Sequence, residues 1–77
     1  MANFMQTLNN FESSCVRSLS LDKETGEASV EFINGNKYNY YNVSKYAIKK
    51  LLATPTQSIG QWVNVNLVNA DTEFEYA

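Results

Sequence analysis

Few side chains in this sequence could carry covalent chemistry. The chain has 77 residues, with a single cysteine at Cys15 and no histidine. A cysteine attacks as the thiolate, which a histidine usually generates, and Arg17 on the same strand face is thin support for activation. Without histidine, no group of residues has the cysteine and histidine spacing of a metal site. The sequence therefore predicts a protein that is not an enzyme and binds neither a metal nor a cofactor.

The acidic residues and glycines give no catalytic pattern either. The candidate acids lie in a predicted turn and in the C-terminal tail: Glu24, Glu27, Asp71, Glu73 and Glu75. Carboxylates exposed to water keep ordinary pKa values, so they cannot serve as a tuned acid and base pair. Gly60 follows Ser58 by two positions, but the further glycines and the lysine of a phosphate-binding loop are missing. Close packing of a helix is the better interpretation of this glycine.

Lysines form the only positive cluster in the sequence. Lys45 and Lys49 are one turn apart on a predicted helix, and Lys50 adjoins them. They could contact phosphates, or they could form a solvated helix face. Three phosphate contacts give weak, salt-sensitive binding, and the formal net charge of -2 provides no overall field that attracts nucleic acid. Nucleic-acid binding is therefore kept as an alternative.

Tyrosines offer a second means of binding. Tyr41 is predicted to face outward with Lys37 and Asn39, where it could stack on a base or simply decorate the sheet. Tyr38 and Tyr40 could also stack, but the strand register favours a place for them in the core. The predicted binding surface combines the outward-facing and basic side chains: Arg17, Lys37, Asn39, Tyr41, Lys45, Lys49 and Lys50.

A predicted hairpin around Asn34-Gly35-Asn36 positions these tyrosines. Apolar residues alternate before and after this turn, and alternation around an Asn-Gly pair is the strongest short-range hairpin signal. A two-residue turn would place lysine and asparagine opposite the apolar residues of the preceding strand. A three-residue loop pairs Phe32 with Tyr38 and Val30 with Tyr40, which gives a continuous apolar face. We predict this second register.

The segments that flank the hairpin supply one more strand, a helix and a segment that could be either. The run from Cys15 to Leu21 has the alternation of a strand, and residues 22–26 form a turn by composition. A helix is predicted from Lys45 to Ala53, with Ser44 as its N-cap. Residues 58–67 fit either a helix face or an alternating strand, and periodicity alone leaves both open.

Composition indicates one small globular core with short extensions. Hydrophobic residues make up 44% of the chain, which suffices for a single core at this length. We divide the chain into an N-terminal arm (1–12), a domain (13–68) and an acidic tail (69–77) that is either an added edge strand or a frayed end. The single cysteine suits a reducing compartment, and no leader or membrane span is evident. A cytoplasmic protein is expected.

Several short motifs occur in an order and spacing that a known family shares. They include Asp22-x-x-Thr25-Gly26, Tyr38-x-Tyr40, Leu51-Leu52 and Ser58-x-Gly60-x-Trp62-x-Asn64. Over residues 13 to 67 this pattern resembles the KTSC domain family, named for a carboxy-terminal extension of some lysyl-tRNA synthetases. Members are mostly stand-alone bacterial or phage-type domains. The resemblance implies a structural role for the motif residues Tyr38, Tyr40, Ser58, Gly60, Trp62 and Asn64.

The resemblance also implies a fold. It is α+β, with a three-stranded antiparallel β-meander followed by two α-helices packed on one sheet face. This favours the helical interpretation of residues 58–67. The chain departs from the family where Val65 to Val68 carry no charge, because the family's second helix often ends with basic residues. That departure weakens the case for nucleic-acid binding.

The leading interpretation is a small non-catalytic interaction module that binds a protein partner. It rests on the missing catalytic residues, the mild negative charge and a sheet with enough helix to cover only one face. The alternative is weak RNA or DNA binding through the basic residues and Tyr41. Free strand edges also lead us to expect a monomer or a weak homo-oligomer that pairs through the first strand or the tail.

Overall fold

A five-stranded antiparallel sheet organises the computed structural model, which describes residues 5–9, 13–54, 58–70 and 72–77. Neighbouring strands follow each other in chain order, so the sheet is a continuous meander. The strands are β1 (Gln6–Leu8), β2 (Val16–Asp22), β3 (Glu27–Phe32), β4 (Lys37–Tyr41) and β5 (Glu73–Tyr76). Between β4 and β5 lie α1 (Lys45–Ala53) and α2 (Ile59–Val63), and α2 continues as a π-helix over Asn64–Val68.

The β3–β4 hairpin has a three-residue loop, as predicted, but the loop comprises residues 33–35 instead of 34–36. The Phe32 N–H donates to the Asn36 carbonyl oxygen at 2.9 Å and closes the loop. Gly35, the last loop residue, has a φ of 95°. Three-residue loops place their last residue in the left-handed region, which glycine occupies without strain. Gly35 therefore fixes the position of the loop. In the sequence prediction the last residue of the loop was Asn36.

This shift moves the strand register by two residues. Val30 pairs with Tyr38 and Ala28 with Tyr40, so both predicted pairings, Phe32 with Tyr38 and Val30 with Tyr40, are wrong. Because side chains alternate with a period of two, a shift of two residues leaves every side chain on its predicted face. Both tyrosines thus lie on the same face as Val30 and Ala28, as expected.

The β2–β3 turn is held by Asp22. Its carboxylate accepts hydrogen bonds from the N–H groups of Glu24 at 2.9 Å and Thr25 at 3.3 Å. The Glu24 bond is the main cause of a lowered pKa for Asp22, against the opposing effect of burial. Gly26 closes the turn with a φ of 77°, and a Cβ there would lie 2.9 Å from the Val43 carbonyl oxygen. The turn thus requires both an acceptor and a glycine.

Both helices begin at serine caps. Helix α1 has the predicted bounds, and the Ser44 hydroxyl accepts the Ala47 N–H at 3.2 Å. The Ser58 hydroxyl accepts the Gln61 N–H at 3.3 Å at the start of α2. The helical interpretation of residues 58–67 is therefore confirmed, with a π-helical second half that the sequence did not indicate.

One cluster of buried side chains joins both helices to one face of the sheet. The sheet contributes Val16, Leu19, Leu21, Ala28, Val30 and Tyr40. The helices and the segment before them contribute Val43, Ile48, Leu51, Ile59, Trp62, Val63 and Leu67. The opposite face of the sheet carries no helix among the described residues, so it is the open face of the domain.

Three strands were predicted, and the structure has five in the described residues. β1 comes from the N-terminal arm and pairs its Thr7 with Ser20 of β2, where the two hydroxyl oxygens are 2.9 Å apart. Its short polar sequence has no apolar alternation, so periodicity could not find it. β5 comes from the acidic tail and confirms the edge-strand alternative for that segment. Residues 1–4, 10–12, 55–57 and 71 lie outside the described residues.

Candidate binding groove

A concave site lies on the helix side of the sheet, along β5. It has a volume of about 370 Å³. Its walls are the β3–β4 loop, the core-side faces of β4 and β5, and the end of the π-helix. We call this site the aromatic groove, and its lining residues are Phe32, Asn34, Asn36, Tyr38, Tyr40, Leu67, Val68, Ala70, Thr72, Phe74 and Tyr76.

Tyr38 is the centre of the ring cluster in the aromatic groove. Its ring centroid lies 4.9 Å from that of Tyr76 and 5.9 Å from that of Phe74. Phe32 packs edge-on at 5.7 Å, and Tyr40 lies at 6.3 Å. Spacings of this kind are favourable for aromatic pairs. The cluster therefore ties the edge strand β5 to β4 and β3 through side chains as well as through the backbone.

The outer part of the aromatic groove is exposed to water. Tyr76 is 76% exposed and Phe74 is 57% exposed, although both lie on the face of the sheet that the helices pack against. Val68 at the opposite wall is 51% exposed. The helices cover the central strands and leave β5 uncovered. This combination produces a contiguous apolar patch, which in soluble proteins commonly marks an interaction site.

A π-helix forms the wall opposite β5. The Asn69 N–H donates to the Asn64 carbonyl oxygen at 2.8 Å, a bond across five residues that widens the last turn. This places Leu67 in the core and leaves Val68 at the groove. The Thr72 hydroxyl donates to the Leu67 carbonyl oxygen at 2.8 Å and joins the π-helix to the start of β5. Isolated π-helical turns are frequent at functional sites.

The open face of the sheet is polar and acidic. Glu75, Asn39, Ser29, Ser20 and Thr7 form one row across all five strands, because each pairs with the next. The Ser29 hydroxyl donates to the Asn39 side-chain oxygen at 2.6 Å. Acidic side chains on this face include Glu27, Glu31, Glu73 and Glu75. Lys37 pairs with Glu31 on this face.

Tyr41 lies among these acids. It pairs with Glu73 and neighbours Asn39 on the open face, as predicted. Burial first, and then the nearby Glu75 carboxylate and a hydrogen bond to it, raise the pKa of Tyr41. The phenol therefore lies beside negative charge on the open face. If the Tyr41 ring stacked on a base, the phosphates of that nucleotide would lie near the same carboxylates.

The basic residues of the predicted binding surface lie in different places. Arg17 lies at a bulge in β2 and donates to the Ile33 carbonyl oxygen at 3.4 Å, at the β3–β4 loop end of the sheet. Lys37 begins β4 at the same end. Lys45 approaches Gly26 of the β2–β3 turn, which is at the opposite end.

The other helix lysines also lie away from the open face. Lys49 lines a cleft with Gln6 and Glu24, beside the β2–β3 turn, and Lys50 is exposed in the last turn of α1. The structure therefore brings together Lys37, Asn39 and Tyr41 but not the lysines of α1 with them.

Motif residues of the second helix pack in the core, cap the helix or let it approach a neighbouring segment. Trp62 is buried in the core, and Ser58 is the N-cap. A Cβ on Gly60 would lie 3.2 Å from the Ser13 hydroxyl and 3.6 Å from the Cys15 sulfur, so the glycine lets α2 approach the segment before β2. Asn64 is exposed, and its carbonyl oxygen accepts the π-helical bond. These contacts agree with the close-packing interpretation of Gly60.

Other kinds of site are absent from the part of the chain that the structure describes. No three or more histidine, cysteine, aspartate or glutamate side chains are grouped to hold a metal ion in residues 5–9, 13–54, 58–70 and 72–77. Within the same ranges no helix has the length and hydropathy to cross a membrane. Cys15 is exposed, with its sulfur 3.8 Å from the Ser13 hydroxyl oxygen.

The described residues form a small α+β domain with an antiparallel meander. The family model of the KTSC domain matches residues 12–70 of the 77-residue chain. The chain therefore belongs to the KTSC domain family, and the resemblance seen in its motifs is confirmed. No curated protein matches the sequence.

Sequence reasoning missed the outer half of the aromatic groove. Tyr38 and Tyr40 were considered for stacking and assigned to the core; Tyr40 is buried, Tyr38 is partly buried against the core, and both also line the groove. Phe74 and Tyr76 were treated only as part of the tail. Their alternation with glutamates was the available signal, since an amphipathic edge strand next to a tyrosine-bearing strand creates an aromatic surface.

Proposed function

We propose that this protein is a small non-catalytic interaction module that binds a partner protein in the aromatic groove. The exposure of the Phe74 and Tyr76 rings beside partly buried Tyr38 carries the proposal. Exposed apolar surface is unfavourable in water, and a partner that covers it recovers that free energy. Tyrosine and phenylalanine are enriched among the residues that anchor protein interfaces.

The shape of the aromatic groove favours a protein segment over a small molecule. Pockets for small ligands enclose most of the ligand surface. This groove of about 370 Å³ is bordered by the edge strand β5, whose outer side has no neighbouring strand among the described residues. An extended segment could therefore enter along the strand. The exposed thiol of Cys15 suits a reducing compartment, so a cytoplasmic location is part of the proposal.

RNA or DNA binding has less support. The open face pairs Lys37 with Glu31 and holds Tyr41 beside Glu75, while the lysines of α1 lie elsewhere. Phosphate contacts depend on several cations that act together. A titration with single-stranded RNA and duplex DNA tests this alternative. Amide shifts at Lys37, Tyr41 and α1 that fade between about 50 and 200 mM salt would favour it.

A peptide selection tests the proposal. Short random peptides displayed on phage are selected against the immobilised full chain, and the affinities of the selected peptides are measured for two variants. Tyr76→Ser removes an aromatic ring from the groove, and Tyr46→Ser removes an equally exposed ring from α1. We expect Tyr76→Ser to weaken binding by at least about tenfold, since buried aromatic anchors dominate interfaces.

The matched control makes the result specific. Tyr46 is 74% exposed and Tyr76 is 76% exposed, so both substitutions remove a similar exposed surface. Tyr46→Ser should leave affinity within about twofold of the parent protein, as expected for a residue outside the interface. Peptides whose affinity is equally insensitive to both substitutions, or a selection that yields no binder, would contradict a binding role for the aromatic groove.

A further inference from the structure

The backbone of β5 offers hydrogen-bonding groups at the free edge of the sheet. The Ala77 N–H donates to the Lys37 carbonyl oxygen at 3.0 Å, which makes Ala77 and Lys37 a hydrogen-bonded pair. Such pairs alternate along an antiparallel ladder, so Glu75 and Glu73 also bond to β4. The N–H and C=O groups of Phe74 and Tyr76 therefore point away from β4, toward the free edge. These are the groups that another strand would use.

The two faces of β5 differ in chemistry. Phe74 and Tyr76 project into the aromatic groove, while Glu73 and Glu75 lie on the open face. A strand added beside β5 would alternate in the same way, with every second side chain over the groove and the others beside the glutamates. Apolar residues suit the first set of positions. Lysine or arginine suits the second set.

We propose that the partner binds as a sixth strand on β5, through an extended segment that alternates apolar residues with lysine or arginine. This inference rests on the proposed function and specifies its partner. Main-chain hydrogen bonds to Phe74 and Tyr76 hold the segment, and its apolar side chains fill the aromatic groove. Glu73 and Glu75 select the basic side chains, because opposite charges across a strand pair attract and like charges repel.

A second copy of this chain fits β5 poorly. If two β5 strands paired antiparallel with their aromatic residues on one face, at least one glutamate of each copy would lie opposite a glutamate of the other. Like charges directly opposite destabilise a strand pair, and charged edges are a common protection against self-association. The edge strand β1 spans only Gln6–Leu8 and has no aromatic or charged residue in that range. A different protein therefore suits β5 better than a second copy of this chain.

Defined peptides test this inference directly. One short peptide alternates lysine with valine and phenylalanine, and a second replaces each lysine with glutamate. We expect the lysine peptide to bind the full chain at least about tenfold more tightly, with the difference reduced by salt. Hydrogen exchange of the Phe74 and Tyr76 amides should slow by at least about tenfold in the complex, since strand pairing protects amides.

Charge reversal supplies the control. The variant Glu75→Lys keeps the aromatic groove and should shift the preference toward the glutamate peptide by about tenfold. Glu24→Lys, a charge reversal in the distant β2–β3 turn, should leave the preference unchanged.

The possible failures are distinguishable. A lysine peptide that binds without protecting the Phe74 and Tyr76 amides would overturn strand addition and leave the proposed groove binding intact. Equal affinity for the two peptides, or no binding by either, would overturn the assignment of a basic alternating partner. In that case the phage selection still decides the proposed function, because its peptides are random and its readout is the Tyr76→Ser variant.

Discussion

Replacement of Tyr38 by leucine tests whether the ring cluster holds β5 to the sheet. Tyr38 makes four ring contacts, with centroid distances from 4.9 to 6.3 Å. Aromatic pairs contribute about 0.5 to 1.5 kcal/mol each beyond burial, and the exposure of Phe74 and Tyr76 places these contacts at the lower end. Because leucine preserves apolar burial, Tyr38→Leu should lower the free energy of unfolding by about 2 kcal/mol through the lost ring contacts.

Urea denaturation followed by the fluorescence of Trp62 measures this loss, since Trp62 is the single tryptophan and is buried in the core. A double-mutant cycle with Tyr76→Leu should give a coupling of about 0.5 to 1 kcal/mol. Tyr46→Leu, at an exposed position on α1, should stay within about 0.5 kcal/mol of the parent. A loss below about 0.5 kcal/mol for Tyr38→Leu, with no coupling to Tyr76, would refute the reasoning.

Three further predictions concern the turns and caps. Ser44→Ala should cost about 1 kcal/mol in urea denaturation, because the Ala47 N–H loses its acceptor; an unchanged midpoint would contradict the cap. Gly26→Ala should cost about 1 to 3 kcal/mol, because its φ is 77° and its Cβ would lie 2.9 Å from a carbonyl oxygen; a neutral result would contradict the strained turn. Folding lowers the pKa of Asp22. The stabilisation that its carboxylate contributes is therefore present above its ordinary pKa of 3.8, and it is lost as the pH falls through the pKa of the folded state. Stability of the parent should thus fall more steeply than that of Asp22→Asn from about pH 5 to about pH 2, and equal slopes in acid denaturation would contradict this assignment.

Much of the central fold could be predicted because local chemistry determines it. Apolar alternation around Asn34 and Gly35 indicated the hairpin, and Ser44 indicated where α1 begins. The face of Tyr38 and Tyr40 was also correct, because the error in register was an even number of residues. The β3–β4 loop was predicted one residue too late. The prediction did not take into account that the last loop residue needs a left-handed conformation, which Gly35 supplies.

The edges of the sheet and the candidate site were harder to predict. β1 has three residues without apolar alternation, so only its pairing with β2 makes it a strand. The aromatic groove combines Tyr38 with Phe74 and Val68, which are far apart in sequence and meet only through strand pairing and the π-helix. Sequence periodicity describes one segment at a time. It therefore found the tyrosines of β4 but not the groove that they share with β5.

The most direct test of the central claim is a map of backbone amide shifts when the tightest peptide from the phage selection binds. The full chain is labelled with ¹⁵N, and each amide is followed through the titration. We predict that the largest shifts lie at Tyr38, Val68, Phe74 and Tyr76, which line the aromatic groove. Shifts confined to the open face or to the lysines of α1, with the groove unchanged, would contradict the account.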